Sequence, residues 1–537
     1  LAGNAERAAA TGNSATQRIA VDAVNVPGSG GGFGMGGVGG IGGIGGTGVG
    51  TQGALTVANM QRNENSEARA LVEGSYMFVE GYTDDTVNSR LALSSNVQEA
   101  TAVGNVGTNG LSVSGTTIGS GMGITSGQFG GDGSSVQATI NAQMVVEATD
   151  AIGSQLLLGD NLQRASAYGN SAVSNVAVKA MTLAPTYDEY SFGMMPQFGV
   201  ASSQEQLSDV SASVAGDTAL GIYLDSGLQE GSVATNSGNS VIAIAQGNQT
   251  ANGLALELGS TNAGMFFEQA GSPMLGVMTN GQYFSAASTA SVNGGRTIET
   301  YVDDDVEGSA VSVTDNGVQA IAYGNRANGN TLDVRGTTIR QSSAAMGYPG
   351  TMLMNQQQAN GSVAATQRSE DTAASIGATI GSDVNSSSVT LARNALTTQA
   401  TGNAAINALS LEAATLATGA MLRSGQTSAA AVSATAGRAA VLPSDGTLDS
   451  PFDFAAVAVD GGAVEADFLG KQATLTGGEL MVAAATLTPA QITALQANGW
   501  SVDGANLVIE ASRLGTISAD EYLQLIEGGL VKFGGVV

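Results

Sequence analysis

The sequence contains no cysteine and no histidine. Without cysteine there is neither a disulfide framework nor thiolate chemistry. Without histidine the usual general base and the usual imidazole metal ligand are missing, and so is any triad of the Ser-His-Asp kind. Only carboxylate-based and Ser-Lys catalysis survive that exclusion. Positive charge is scarce as well. Eighteen basic residues face 45 acidic ones, for a formal charge of −27, and only Lys179, Lys471 and Lys532 are lysines. Such a surface repels phosphate backbones and is poorly attracted to anionic headgroups, so nucleic acid is not an expected partner. Charged residues make up 12% of the chain and aromatics 4%, where an average globular chain carries about 25% charged residues. No run of 18 apolar residues occurs, which excludes a membrane-spanning helix. The chain opens at Leu1 with no Met, no charged n-region and no apolar h-region. The expectation is an exported chain whose signal peptide has been removed, or a trimmed start.

What is present is glycine, small apolar side chains and repetition. There are 77 glycines, an apolar fraction of 42% and a mean hydropathy of +0.11, which argue against disorder. A Gly-Asn pair recurs at Gly12-Asn13, Gly104-Asn105, Gly169-Asn170, Gly247-Asn248, Gly324-Asn325 and Gly402-Asn403, with steps of 65, 78, 77 and 78 residues from the second copy onward. Eight residues before each Gly stands an Asn: Asn4, Asn96, Asn161, Asn239, Asn316 and Asn394. Seven residues before that Asn, from the second copy on, stands Ser89, Ser154, Ser232, Ser309 or Ser387. Recurrence of one long unit implies stacked, neighbour-dependent repeats rather than a single central core.

Alternating apolar pairs flank the block. Leu91/Leu93, Leu156/Leu158, Val311/Val313 and Val389/Leu391 precede it, and the copy at Val233-Ala234-Thr235-Asn236 departs from the pattern. Ile19/Val21, Leu111/Val113, Val176/Val178, Leu254/Leu256 and Leu409/Leu411 follow it, with Leu332/Val334 displaced by one extra residue. Period-two alternation marks strands with one buried face. In three copies the first pair precedes the second by a constant interval, Leu91 to Leu111, Leu156 to Val176 and Val389 to Leu409. That spacing suggests one rung of a β-solenoid, with roughly four rungs to a unit of about 77 residues. Gly-Asn is then expected at corners between strands, where both residues tolerate positive φ, and the corner Asn can hydrogen-bond to neighbouring rungs. The expected fold is therefore mainly β, a parallel β-helix-like solenoid over residues 1–442.

Several segments break the repeat. Residues 28–50 form a Gly-rich insertion that fails as a phosphate loop because no Lys-Ser/Thr follows in register; it reads as a flexible loop or as a surface against a neighbouring subunit. Residues 184–200 and 264–284 concentrate aromatics and Met and read as protruding loops, packed locally or used for subunit contact. Asp84-Asp85 and Asp303-Asp304-Asp305 read as solvated acidic turns, since a Ca²⁺ site needs six to eight converging oxygens. No residue stands out as catalytic, cofactor-binding or metal-ligating, and no cofactor is expected. After Pro443 the repeat stops. Residues 443–537 read as a small α/β module that closes the solenoid end or docks to a neighbour. Thr488-Pro489 opens one helix of this module, Ser518 and Glu521 cap a second, Leu507-Val508-Ile509 is a strand between them, and Trp500 is assigned to its core.

The blocks QEATAVGNVGTNGLSVSG, QRASAYGNSAVSNVAVKA, QAIAYGNRANGNTLDVRG and QATGNAAINALSLEA resemble the β-rich, repeat-containing holdfast-anchoring proteins of stalked Alphaproteobacteria. The placement of Ser, Asn/Gln and Gly-Asn around short strands is similar to curlin repeats, and NSVIAIAQGN is similar to the heads of trimeric autotransporter adhesins. The holdfast resemblance, over about residues 1–420, implies a secreted, outer-membrane-associated surface protein. Its implied partners are anchor proteins, surface polysaccharide or other copies of itself. The expectation is a non-enzymatic adhesive rod or extracellular fibre subunit of the bacterial surface. A phage fibre or tailspike, or a β-helix carbohydrate-active enzyme, is the alternative.

Overall fold

The structure is a computed structural model. It describes residues 1–27, 54–81, 86–119, 121–183, 197–215, 219–261, 275–293, 296–340, 350–368, 375–382, 384–437 and 439–443, and shorter stretches between 457 and 510. Among the described residues the protein is mainly β, with almost no helix, and the sheets of the repeat are parallel. The repeat is visible at once in the pairing. One long strand comes from each unit: Ala5–Asp22, Val97–Ile118, Leu162–Leu183, Ser240–Thr261, Gly317–Arg340 and Ala395–Ala417. These six lie side by side in chain order, every neighbour parallel. Leu55–Asn63, Met122–Gly130, Phe198–Gln206, Gly276–Phe284, Thr351–Ala359 and Ala420–Ser428 form a second sheet in the same order.

The rest of each unit feeds three further sheets. The third holds Glu67–Gly81 and Ser135–Ala148, and later units fill the same place with two shorter strands, as in Asp209–Ala215 and Leu220–Leu224. Two-residue strands such as Ala151–Ile152 form the fourth. Five-residue strands such as Arg90–Ser94 and Gln155–Gly159 form the fifth. In every case a strand pairs with its counterpart one whole unit away.

This corrects the expected rung. Leu91/Leu93 and Leu111/Val113 occupy different sheets; Leu91 pairs with Leu156 and Leu111 with Val176. The stacking period is the full unit, not a quarter of it, so the stack is only six units deep. At about 4.8 Å per strand that is roughly 25–30 Å, while the 22 residues of Val97–Ile118 run roughly 70 Å at about 3.3 Å each. One chain is broad and shallow along the stacking direction.

The alternation follows the expected faces. Alternate side chains of the long strands point inward, and the apolar pairs share one register across the sheet from Ile19/Val21 to Leu409/Leu411. The extra residue of the fifth copy is absorbed by a bulge between Asn328 and Asn330, with Gly329 at φ 92°. Two large apolar cores result, with a small third cluster at Val277 and Met352. Ala100, Ala102, Val136, Ile140 and Leu158 belong to the larger, and Leu111, Val113, Met122 and Ile124 to the smaller. The larger core is dominated by Ala and Val and the smaller by Leu, Val, Ile and Met. Phe198 and Phe284 are the largest fully buried side chains.

The corners are not where Gly-Asn stands. Gly104-Asn105 lies inside the long strand, and none of the paired glycines has positive φ. Left-handed residues instead sit one place before each column Asn, at Gly3, Ser95, Asp160, Gly238, Asp315 and Arg393. They also sit one place before each column Ser, at Asn88, Gly153, Gly231, Gly308 and Ser386. The aromatic stretches are corrected in part. Phe198–Val200 and Gly276–Phe284 are strands with Phe198, Met278 and Phe284 buried, not protruding loops. Gln197 and Leu275, just ahead of these strands, are buried too, while residues 184–196 and 264–274, the insertion at 28–50, Asp84-Asp85, Trp500 and the second helix at Ser518–Glu521 lie outside the described residues.

Toward the C-terminus, Ala463–Asp467 pairs in parallel with Ala439–Pro443. Antiparallel strands Gln472–Thr476, Glu479–Ala483, Asn506–Glu510 and Ser501–Asp503 follow. The expected strand at Leu507–Ile509 is present. Pro489, Ile492, Thr493 and Gln496 are helical, and Thr493 Oγ1 donates back to Pro489 O at 2.9 Å.

Candidate functional site: the stacked amide columns

The repeated polar residues of the sequence converge on columns that run across the sheets. Asn4, Asn96, Asn161, Asn239, Asn316 and Asn394 form the first. The backbone N–H of each donates to Oδ1 of the next at 2.9–3.0 Å. The left-handed residue just before each Asn turns the chain so that this N–H faces the neighbour. The serine column repeats the device: Ser89 N–H donates to Ser154 Oγ at 3.0 Å, Ser154 to Ser232 at 2.9 Å and Ser309 to Ser387 at 3.0 Å.

The Gly-Asn asparagines form the second Asn column. Each Nδ2 donates to Oδ1 of the next asparagine, from Asn13 to Asn403, at 2.7–2.9 Å. The same Nδ2 also donates across to the facing second sheet, as in Asn105 to Phe129 O at 3.0 Å and Asn170 to Glu205 O at 2.9 Å. One side chain thereby binds both the next unit and the opposite sheet. Glycine precedes it for space. A Cβ at Gly104, Gly169 or Gly247 would lie 2.5–2.6 Å from the next unit's glycine carbonyl, closer than any ordinary contact. The selected property is close approach of backbones, not positive φ.

A fourth column escapes a reading of the sequence. Gln61, Gln128, Gln204, Gln282, Gln357 and Gln426 lie in the second sheet, facing the Gly-Asn column. Each Nε2 from Gln128 onward donates to Oε1 of the preceding glutamine at 2.6–2.9 Å. It donates also to a carbonyl of the long-strand sheet, as in Gln204 to Gln249 O at 2.8 Å. The Asn amides thus point toward the C-terminal unit and the Gln amides toward the N-terminal unit, so their dipoles oppose. Their separations of 67, 76, 78, 75 and 69 residues are the signal, hidden because a shared Gly-Gln pair marks only Gln128, Gln282 and Gln426. The Gly-Asn and Gln columns together make a buried, hydrogen-bonded polar band between the two large apolar cores. The departure at Val233–Asn236 belongs to the same chemistry: Asn236 replaces a core apolar residue and donates to Glu299 O at 2.9 Å.

Charge is sparse and mostly outside. Glu99 is held between Arg164 and Arg7, and hydrogen bonding from Arg164 keeps its carboxyl below the usual range. Asp315 is lowered likewise by Arg393 at 2.7 Å. Glu299, like Glu205, is a buried exception. Desolvation pushes its carboxyl up despite Arg296 at 3.3 Å and Thr379 Oγ1 at 2.8 Å. Tyr301, hydrogen-bonded to Asp303, is raised to about 12. Among the described residues no group of three or more Asp or Glu side chains could hold a metal ion; Asp303 and Asp304 are exposed. An open groove of about 1110 Å³ crosses the long strands, lined by Lys179, Glu257, Asp333, Arg335 and Glu412 among others. Lys179 pairs with Glu257 at 2.8 Å and Arg335 with Asp333 at 2.9 Å. What this arrangement does chemically is hold units together. No family model matches the chain, and comparison with curated proteins and with solved structures gives no match.

Proposed function

We propose that the five sheets wind into a single β-solenoid, one turn per repeat unit, and that the chain is a non-enzymatic structural block of a bacterial surface. It would act in attachment or as part of an extracellular fibre. The observation that carries this reading is the order of visits. Each complete unit passes through the same five sheets and re-enters the first beside its previous strand, while Asn and Gln amides tie facing sheets together. Chain and hydrogen bonds therefore share one repeating path. Such columns supply cohesion and rigidity rather than a reactive centre. The acidic exterior supports solubility outside the cell.

Electron microscopy of the purified chain tests it. The expected particle is compact and flat, roughly 70 Å by 30 Å in profile. Separately folded beads on a string would overturn the reading. A second reading, a polysaccharide-cleaving enzyme, rests on the carboxylates Glu257, Asp333 and Glu412 along the open groove; new reducing ends on incubation with acidic or neutral polysaccharides would support it.

A further inference from the structure

We propose that the last unit of one copy receives the first unit of a second copy, head to tail, in the register the units already use within the chain. This rests on the solenoid reading above. A stack only six strands deep is no fibre by itself; among the described residues the outer edges of its first and second sheets are unpaired at both ends, while in the last unit Val389–Leu391 and Ala440–Val441 already pair with Val457–Val459 and Ala463–Val464. Among the described residues, most exposed large apolar side chains sit on the end strands. Val24, Met60, Tyr76 and Phe78 are at one end, and Ile406, Leu416, Leu422 and Val432 at the other. Leu422 is 52% exposed and Val432 46%, yet their counterparts one unit back, Leu353 and Val363, are fully buried. Both lack only a following neighbour.

The two ends match in chemistry. Continuing the register places Val57 of the second copy on Leu422, Ala68 on Val432, and Ile19/Val21 on Leu409/Leu411. It also continues the hydrogen-bond polarity. Asn403 Nδ2 donates to Thr427 O and lacks the onward asparagine that every earlier member has; Asn13 of the second copy supplies that Oδ1. In the opposite sense, Gln61 Nε2 of the second copy donates to Gln426 Oε1. Gly402 adds an independent mark. Its five counterparts each face the next unit's glycine carbonyl at 2.5–2.7 Å from an added Cβ, whereas an added Cβ at Gly402 meets only side-chain atoms, the nearest Ser428 Oγ at 2.8 Å. The space that glycine leaves at Gly402 is filled by the carbonyl of Gly12 from the second copy.

One column opposes the joint. Asp22, Ser114, Lys179, Glu257, Arg335 and Glu412 share a register, so Asp22 of the second copy meets Glu412. With a chain charge of −27, joining strengthens as pH falls or salt rises.

The absence of cysteine makes the register directly testable. Ala20 and Ser410 are exposed ends of one column. The full chain carrying both A20C and S410C, oxidised at moderate salt, is expected to give a ladder of disulfide-linked multimers on a non-reducing gel. Either substitution alone should give none. In parallel, E412K should tighten association about fivefold in sedimentation, the scale of an exposed ion pair, and D22K added to it should remove the gain. A dimer linked by S410C alone means a symmetric contact and overturns the proposal. So do single, flat particles under all conditions, an outcome that leaves the solenoid reading intact. Beaded particles would overturn the solenoid reading itself.

Discussion

Replacing Asn170 probes the amide columns most sharply. Its side chain is fully buried and takes part in three hydrogen bonds. It accepts from Asn105 Nδ2 at 2.7 Å, and it donates to Asn248 Oδ1 and to Glu205 O, both at 2.9 Å. Asn170→Ala leaves three buried partners unsatisfied, each at a cost of about 1–3 kcal/mol. Neighbouring losses do not add fully, so we expect at least about 3 kcal/mol. In hydrogen exchange, that raises local opening of the flanking strands, 162–183 and 198–206, by about two powers of ten. Asn170→Asp keeps the volume but removes both donations, and should be at least as damaging. Asn13→Ala is the control. Asn13 makes the same donations, to Asn105 Oδ1 and Arg62 O, but at a partly hydrated end. Water replaces its bonds, and the effect should stay near about 1 kcal/mol, a factor of about five. Equal responses at Asn170 and Asn13 would refute the claim that the columns carry the stability.

Two further outcomes follow from the same structure. Gly169→Ala should destabilise by about 1–3 kcal/mol, read as a shift in denaturant midpoint, since its Cβ would lie 2.5 Å from Gly247 O and against Gln206. Gly425→Ala, with nothing within 4 Å, should be neutral; similar effects at both would remove the close-approach explanation. Glu299 has a folded pKa raised by burial, so its contribution is fully present below the unfolded carboxylate pKa and is lost as pH rises through the folded value. Glu299→Gln should therefore match the parent in acid and melt higher at neutral pH; a uniform shift across pH would contradict that sign.

Much of this is legible in the sequence, and the rest is hidden for physical reasons. The long repeat period, the parallel β character and the stacking role of Asn are readable because the same side chains recur at fixed spacing. The rung length is not, because two apolar pairs close in sequence look like successive rungs when strand length is unknown. Leu91 and Leu111 come to adjoining parts of the molecule only through sheets that the sequence does not order. The Gly-Asn pair suggests a turn, yet a glycine needed for backbone contact is spelled the same way as one needed for positive φ. The corners before the Asn column, at Ser95, Asp160 or Arg393, carry ordinary residues in several copies and glycine only at Gly3 and Gly238, while those before the Ser column carry glycine at Gly153, Gly231 and Gly308. The glutamine column stays hidden because intervals between 67 and 78 residues blur a period when a shared Gly-Gln pair marks only Gln128, Gln282 and Gln426.

The unit-length stacking itself is best tested by a disulfide inside one chain. Ala177 and Ala255 are exposed, in-register neighbours on adjacent long strands, at a spacing a disulfide can bridge. The A177C/A255C pair should close quantitatively under mild oxidation, whereas L157C/A177C, nearer in sequence but on different sheets, should stay reduced. Closure of the second pair in place of the first would contradict the account.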